Sequence, residues 1–353
     1  MQQNLTHVYF TAAVSAVNKT PSKQTALQLG LQMELPYFKV FTPQLVSLPE
    51  LYQLIDQQIT QILQQTGWQT DEMCQIPIFL GSTGYVIADC EARLVQQQPL
   101  PTEYSMAVIG EYLRNKYQTD VFSLATSCTS SAQGVNYAYK MLKSGNYAKA
   151  IVIGFELFNR LTFEHFHAMR LLADTENYLP FIEPRGIVLG EGLACLALSC
   201  EPHTAFECEL LGVTALTDND NLTNNSESAL RTLLLQTCRN AGLEPSQIQG
   251  IKVHGVGGNS DETEVRLLLA LFPQAQWILA KPYMGHTLGA SGATETAFLL
   301  DCLNAGKAPD LPKNADNLPL AHGKILKNGY YLSYFLGFGG SNAAWIMRFN
   351  HNG

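Results

Sequence analysis

The strongest constraint on this chain is the recurrence of short β-rich runs separated by longer amphipathic ones, which occurs twice along its length. One series reads "VYFTAAV" (8–14), "IPIFLGS" (76–82), "VFSLAT" (121–126), "AIVIGFE" (150–156) and "LACLALS" (193–199). A second reads "CELLGVTAL" (208–216), "IKVHGVG" (251–257), "QWILAK" (276–281), "YYLSYFLG" (330–337) and "AAWIMRF" (343–349). Near-continuous apolar runs between helical stretches are the pattern of an α/β protein whose sheets are covered on both faces. Two sets of five predict two similar halves, divided within "CEPHTAFEC" (200–208). We place the halves at 1–203 and 204–353, packed together rather than tethered, because no Gly/Ser/Pro linker separates them.

Helix boundaries are legible between the strands. "SLPELYQLIDQQITQILQQT" (47–66) opens on a capping serine, has Pro49 in its first turn and puts Leu51, Leu54, Ile55, Ile59 and Ile62 on one stripe. "SESALRTLLLQTCRNAG" (226–242) starts and stops in the same way. "GASGATETAFLLDCLNAG" (289–306) is apolar with small residues at its start, which suits close packing on a sheet or another helix.

Bulk chemistry narrows the function classes. Apolar residues make up 46% of the chain and charged ones 15%, a balance that disfavours disorder. A net charge of −8 without a Lys/Arg cluster argues against nucleic acid as a partner. The most apolar strand is interrupted by Glu156, so no membrane-spanning segment is expected. The start "MQQNLTHVYF" lacks the pattern of a secretory signal, and the eight cysteines show no CxxC spacing. Reduced thiols and a cytoplasmic setting are the expectation.

One cysteine stands apart. In "VFSLATSCTSSAQGVNYAYK" (121–140), Cys128 falls where a strand-like run meets a helix-like one. A helix over 129–144 would place its thiol at the positive end of the helix dipole, which favours the thiolate. The alternative is a small buried hydrophobe, the usual role of free cysteine. Of eight histidines, His254 in "KVHGVGG" and His286 in "KPYMGHTLGASG" sit in glycine-bearing strand-end segments. His7, His165, His167, His203, His322 and His351 read as surface or core residues. "YFLGFGGSNAAW" surrounds Phe338 with Gly337, Gly339 and Gly340, a turn able to offer backbone N–H groups to an oxyanion. Phe155, Phe158, Phe163 and Phe166 could line an acyl pocket or belong to the core.

Taken in order, "TSCTSS", "PFIEPRGIVLGEG" (180–192), "HGVGGNSDETE" (254–264), "KPYMGHTLGASGATE" (281–295) and "GFGGSNA" (337–343) resemble the β-ketoacyl-acyl-carrier-protein synthases of the thiolase superfamily, in the elongating branch with a Cys-His-His triad. The resemblance implies an α/β thiolase fold, five-layered αβαβα with two pseudo-equivalent halves. It implies catalysis by Cys128, His254 and His286, a supporting pair of Lys281 and Glu295, and Phe338 as a gate. Backbone N–H groups of Cys128, Phe338 and Gly339 would serve an oxyanion. It further implies an acyl carrier protein whose phosphopantetheine arm brings the substrate, no resident cofactor or metal, and a homodimer or a heterodimer with a sister ketosynthase subunit. Such chains perform decarboxylative Claisen condensation in type II fatty acid or polyketide synthesis, and the sister chain-length factors share the fold. Departures from the family pattern are Val256 and Gly258 where threonines are usual, the shortened "RG" at Arg185 and Gly186, and Tyr334 in place of an asparagine.

Overall fold

The computed structural model describes residues 6–28, 31–202, 206–220, 226–313, 315 and 317–351. His203 and the division at 203/204 fall outside the described residues. The first strand series becomes β1 (Tyr9–Ala16), β4 (Ile78–Gly81), β5 (Val121–Leu124), β6 (Lys149–Glu156) and β7 (Gly192–Ser199). The second becomes β8 (Phe206–Thr217), β9 (Ile248–Lys252), β10 (Gln276–Ile278), β11 (Gly329–Leu336) and β12 (Ser341–His351). Two further strands, β2 (Ser22–Gln28) and β3 (Leu31–Tyr37), pair antiparallel as a separate ribbon that the periodicity argument missed.

The two series are wired identically. The spatial order is β5-β4-β6-β7-β1 in one and β10-β9-β11-β12-β8 in the other. In each, the first three strands of that order, starting from the outer edge, run parallel and the last two join antiparallel. The series meet edge to edge where Tyr9 pairs with Glu209 and the Leu210 N–H donates to the Val8 carbonyl at 2.7 Å.

Helices fill three layers. α4 (Ser130–Lys143) and α8 (Ser291–Asn304) touch each other and lie between the halves, α4 against β4, β6, β8 and β12, α8 against β1, β6, β7 and β11. α8 is buried nearly all round, and α4 is buried except along an edge formed by Tyr137, Lys140 and Lys143. The small residues expected at the start of α8 have a packing purpose: a Cβ on Gly292 would sit 2.1 Å from the Ala132 backbone nitrogen. α1 (Leu48–Thr66), with its Ser47–Glu50 capping box, covers β1 and β7, beside α3 (Ala107–Tyr117) on β5. On the other outer face α6 (Glu227–Ala241) covers β8 and β12 and packs on α7 (Asp261–Leu271). α2 (Ile87–Val95) packs on α5 (Arg160–Ala168), which in turn holds β2. The result is the five-layered α/β arrangement of the thiolase fold.

Candidate active site

The nucleophile candidate sits at a backbone corner. After β5 the chain passes Ser127, at φ 54°, and Cys128 before α4 begins with Thr129 as its cap. A positive φ on a non-glycine residue is costly and is held by its surroundings: the Ser127 carbonyl accepts from the Ser130 N–H at 3.1 Å and its hydroxyl at 2.7 Å. Cys128 is buried among Tyr37, Phe158, Phe163, Phe166, Val256, Leu288 and Phe338.

That burial overturns one expectation. The position ahead of α4 predicts a thiol below its ordinary value, yet loss of solvation raises it to about 12. The Phe338 N–H is the largest opposing influence, followed by weaker help from the Lys281 charge and the N–H of Cys128 itself. The dipole of α4 does not offset a cover of aromatic rings contributed from elsewhere in the chain. Two amides nonetheless converge on the sulfur, those of Cys128 and Phe338. Phe338 is half-buried and stacks on Phe166 at 5.9 Å between centroids. Gly339, at φ 80°, makes the following turn.

Both histidines enter from the other half of the sequence. His254 follows β9 and His286 precedes the single turn leading into α8; both are buried, with ring centroids 5.7 Å apart and planes at 88°. The Nδ1 of His254 faces two donors, the Leu336 N–H and the Lys281 ammonium, each at 3.5 Å. The Nδ1 of His286 lies 3.3 Å from the Ser291 hydroxyl. We assign both rings the tautomer with Nδ1 accepting, which leaves Nε2–H as a donor. Burial, reinforced by Lys281, holds His254 well below the usual imidazole range and His286 near 3. Both are therefore neutral donors at physiological pH.

Beneath them lies a charged centre with no access to solvent. Lys281 donates to the His254 carbonyl at 2.6 Å and forms an ion pair with Glu295 at 2.7 Å. The second oxygen of Glu295 accepts from Lys252 at 2.6 Å. Lys252 also donates to the Tyr334 carbonyl at 3.0 Å and lies 3.4 Å over the Phe335 ring. Lys252 is the residue that sequence reasoning missed. Its signal in the sequence is a lysine inside the otherwise apolar "IKV".

Two carboxylates hold the loop after His254. Asp261 accepts from the Val256, Gly257 and Phe181 N–H groups, and Glu264 from the Gly255 N–H and the Tyr334 hydroxyl. The substitution at Tyr334 thus supports the loop directly. Gly257, at φ 81°, lies so close to Gly186 that a Cβ would sit 2.4 Å from its carbonyl oxygen, which packs the shortened "RG" turn against the same loop. Across the cysteine, Glu156 accepts from Thr83, Gly84 and Gly289, and burial raises it to about 7.

The sequence matches the pattern "Beta-ketoacyl synthase, N-terminal domain" over residues 37–202 and "Beta-ketoacyl synthase, C-terminal domain" over 208–313. The chain belongs to the β-ketoacyl synthase family. Among its relatives in the family are 3-oxoacyl-[acyl-carrier-protein] synthase 2 of Coxiella burnetii, 27% identical over 252 residues, and the mitochondrial 3-oxoacyl-[acyl-carrier-protein] synthase of Arabidopsis thaliana, 26% identical over 291. These alignments cover 64% and 73% of this β-ketoacyl synthase chain but only 61% and 63% of the relatives' own length. Its fold matches a ketosynthase in complex with its chain length factor from Xenorhabdus doucetiae, with a TM-score of 0.79, 20% identity and coverage of 99% of this chain and 100% of the other. It also matches a chain from the complex of a type II polyketide acyl-carrier protein with its ketosynthase, with a TM-score of 0.83, 16% identity and coverage of 98% and 100%. No helix among the described residues is long and apolar enough to cross a membrane.

Proposed function

We propose that this β-ketoacyl synthase family member is a condensing acyltransferase, a 3-oxoacyl-carrier-protein synthase of type II fatty acid or polyketide synthesis acting in the cytoplasm. The half up to residue 203 supplies Cys128 and the half from 204 supplies His254 and His286. Cys128 attacks an acyl thioester, its proton leaves with the departing pantetheine sulfur, and the acyl group remains on Sγ. The amides of Cys128 and Phe338, with Gly339 shaping the turn, hold the oxyanion of that step. The Nε2–H groups of His254 and His286 then hold the malonyl thioester oxygen while the carbon–carboxylate bond breaks and carbon dioxide leaves. The electron pair left behind attacks the acyl-cysteine carbonyl, the carbon–sulfur bond breaks with its electron pair going to Sγ, which takes up a proton from solvent, and a β-ketoacyl thioester on the carrier arm results.

The observation that carries this reading is the pair of neutral, perpendicular imidazoles whose Nδ1 atoms are both engaged, since an enolate needs two N–H donors and not a cation that would protonate it. Lys281 and Glu295 act as a positioning pair for His254, and Phe338 with Phe166 gates the cysteine. The partners are an acyl carrier protein and a second ketosynthase-type subunit, identical or sister. The test is acyl mass on Cys128 from acyl-carrier protein, retained in the wild-type chain and lost in Cys128→Ala. No acylation, alone or with a sister subunit, refutes condensation. That outcome favours a chain-length-factor-like partner, a reading supported by Val256 and Gly258, which have no hydroxyl to hold a pantetheine arm.

A further inference from the structure

Lys252 is a buried charge to which the condensation chemistry gives no task. It stands at the end of β9, where the ladder to β11 stops at the pair of Lys252 with Ser333, two residues before His254. Lys252, Lys281 and Glu295 are all buried, so two ammonium groups share one carboxylate. Burying a surplus cation is costly, and an apolar side chain of the same length would spare the fold that cost. The contacts of the ammonium show what it holds in return.

Lys252 donates to Glu295 at 2.6 Å and to the Tyr334 carbonyl at 3.0 Å, and it lies 3.4 Å over the Phe335 ring. Each of the two polar contacts supports one of the two donors to the His254 Nδ1. Glu295 uses its other oxygen to anchor Lys281 at 2.7 Å, and Lys281 reaches Nδ1 at 3.5 Å. Tyr334 stands two residues before Leu336 on β11, and the Leu336 N–H reaches the same Nδ1 at 3.5 Å. The far end of Tyr334 closes the circuit: its hydroxyl donates to the Glu264 oxygen that also accepts from the Gly255 N–H, next to His254.

We propose that Lys252 is a positioning residue for His254, which holds both donors to Nδ1 and thereby keeps the ring proton on Nε2, facing the enolate. The inference rests on the condensing function proposed above and extends its machinery by a third charged side chain. Lys252→Met keeps the length of the side chain and removes the charge with both hydrogen bonds. Glu295 retains Lys281, so two cations and one anion become a balanced pair, a change that buried ion pairs tolerate.

Wild type and Lys252→Met carrying isotope-labelled histidine are compared by imidazole nitrogen NMR, with the His254 signals assigned from their loss in His254→Gln. Wild type shows one His254 tautomer, protonated at Nε2. In Lys252→Met the Nδ1 and Nε2 signals of His254 move toward each other as the second tautomer becomes populated. Those of His322, whose Nδ1 bonds the Pro309 carbonyl and whose Nε2 accepts from the Leu279 N–H, stay in place. Malonyl-carrier decarboxylation falls by about 10–100-fold in kcat with KM unchanged. Lys252→Gln, which keeps N–H donors without the charge, is measured alongside and decides the matter where Lys252→Met does not fold. Unmoved His254 signals in a folded variant overturn the proposal, whether or not the wild-type chain decarboxylates. Moved signals with an unchanged decarboxylation rate in an active chain overturn it as well. A wild-type chain that neither acylates Cys128 nor decarboxylates, but whose His254 signals move on substitution, sustains the positioning role and refutes only the condensing reading.

Discussion

Glu295→Gln tests the charged centre beneath the histidines. The substitution keeps the shape of the side chain and one acceptor but removes the charge that lies 2.6 Å from Lys252 and 2.7 Å from Lys281. All three side chains are at most 1% exposed, so no water replaces the lost carboxylate. Removing one partner of a buried ion pair costs about 3–5 kcal/mol, a large share of the roughly 5–15 kcal/mol that holds a domain together. With a urea slope near the top of the usual range of about 1–3 kcal/mol per molar, the unfolding midpoint falls by about 1–2 M.

The pH dependence gives a second signature. Burial already lowers Lys252 from 10.5 to about 8 in the presence of Glu295. Below about 8 the amine is charged in both folded and unfolded chains, and the full burial penalty is present. Between there and 10.5 the unfolded chain binds more protons than the folded one, so stability rises with pH. The rise is at most about 1.4 kcal/mol per pH unit for each such group. In Glu295→Gln the window opens at lower pH, and the variant regains more stability than wild type between about pH 7 and pH 9. Urea melts at both pH values decide the matter. A midpoint within about 0.3 M of wild type at each would refute the argument that Glu295 neutralises two buried cations.

Other expectations follow from the same geometry. His254→Ala and His286→Ala each remove one donor to the enolate, so malonyl-carrier decarboxylation drops by about 10²–10³-fold; an unchanged rate refutes their role. With His286 near 3, no acid limb of the decarboxylation rate between about pH 5 and pH 7 belongs to that ring, and a limb there that disappears in His286→Gln would contradict the assignment. The thiol of Cys128 is pushed up to about 12, so iodoacetamide reacts first at exposed Cys74 and labelling of Cys128 rises with pH, approaching about tenfold per unit, as peptide mapping would reveal. Ser47→Ala breaks the capping box of α1 and lowers stability by about 1 kcal/mol in urea melts.

Much of the architecture was legible because local pattern and global position agree. All ten strands of the two series lie where apolar runs meet turn residues, and α1 begins at the serine that its capping pattern marks. The ribbon β2–β3 was invisible for a physical reason. Its first four β3 residues, Leu31 to Glu34, are exposed, Pro36 sits inside the strand, and its burial depends on α5, more than a hundred residues away. The site was legible as residue types at turn positions, with Lys281 and Glu295 paired as the family resemblance implied. Its electrostatics were not. Whether Cys128 favours the thiolate turns on what covers it, and Phe158, Phe163, Phe166 and Tyr37 come from segments whose proximity no local pattern announces. Phe155, grouped with them by sequence, instead packs in the core under α1.

The contact of Gly292 with the Ala132 backbone sets where this scaffold can vary. Where two helices meet main chain to main chain, no rotamer lies between them to absorb a change, and any larger residue pushes the helices apart as rigid bodies. α4 starts just after Cys128 and α8 just after His286, so that displacement would separate the nucleophile from the donor. The seam acts as a fixed bearing, and substrate range in a chain built this way is free to drift only in the parts that cover the thiol.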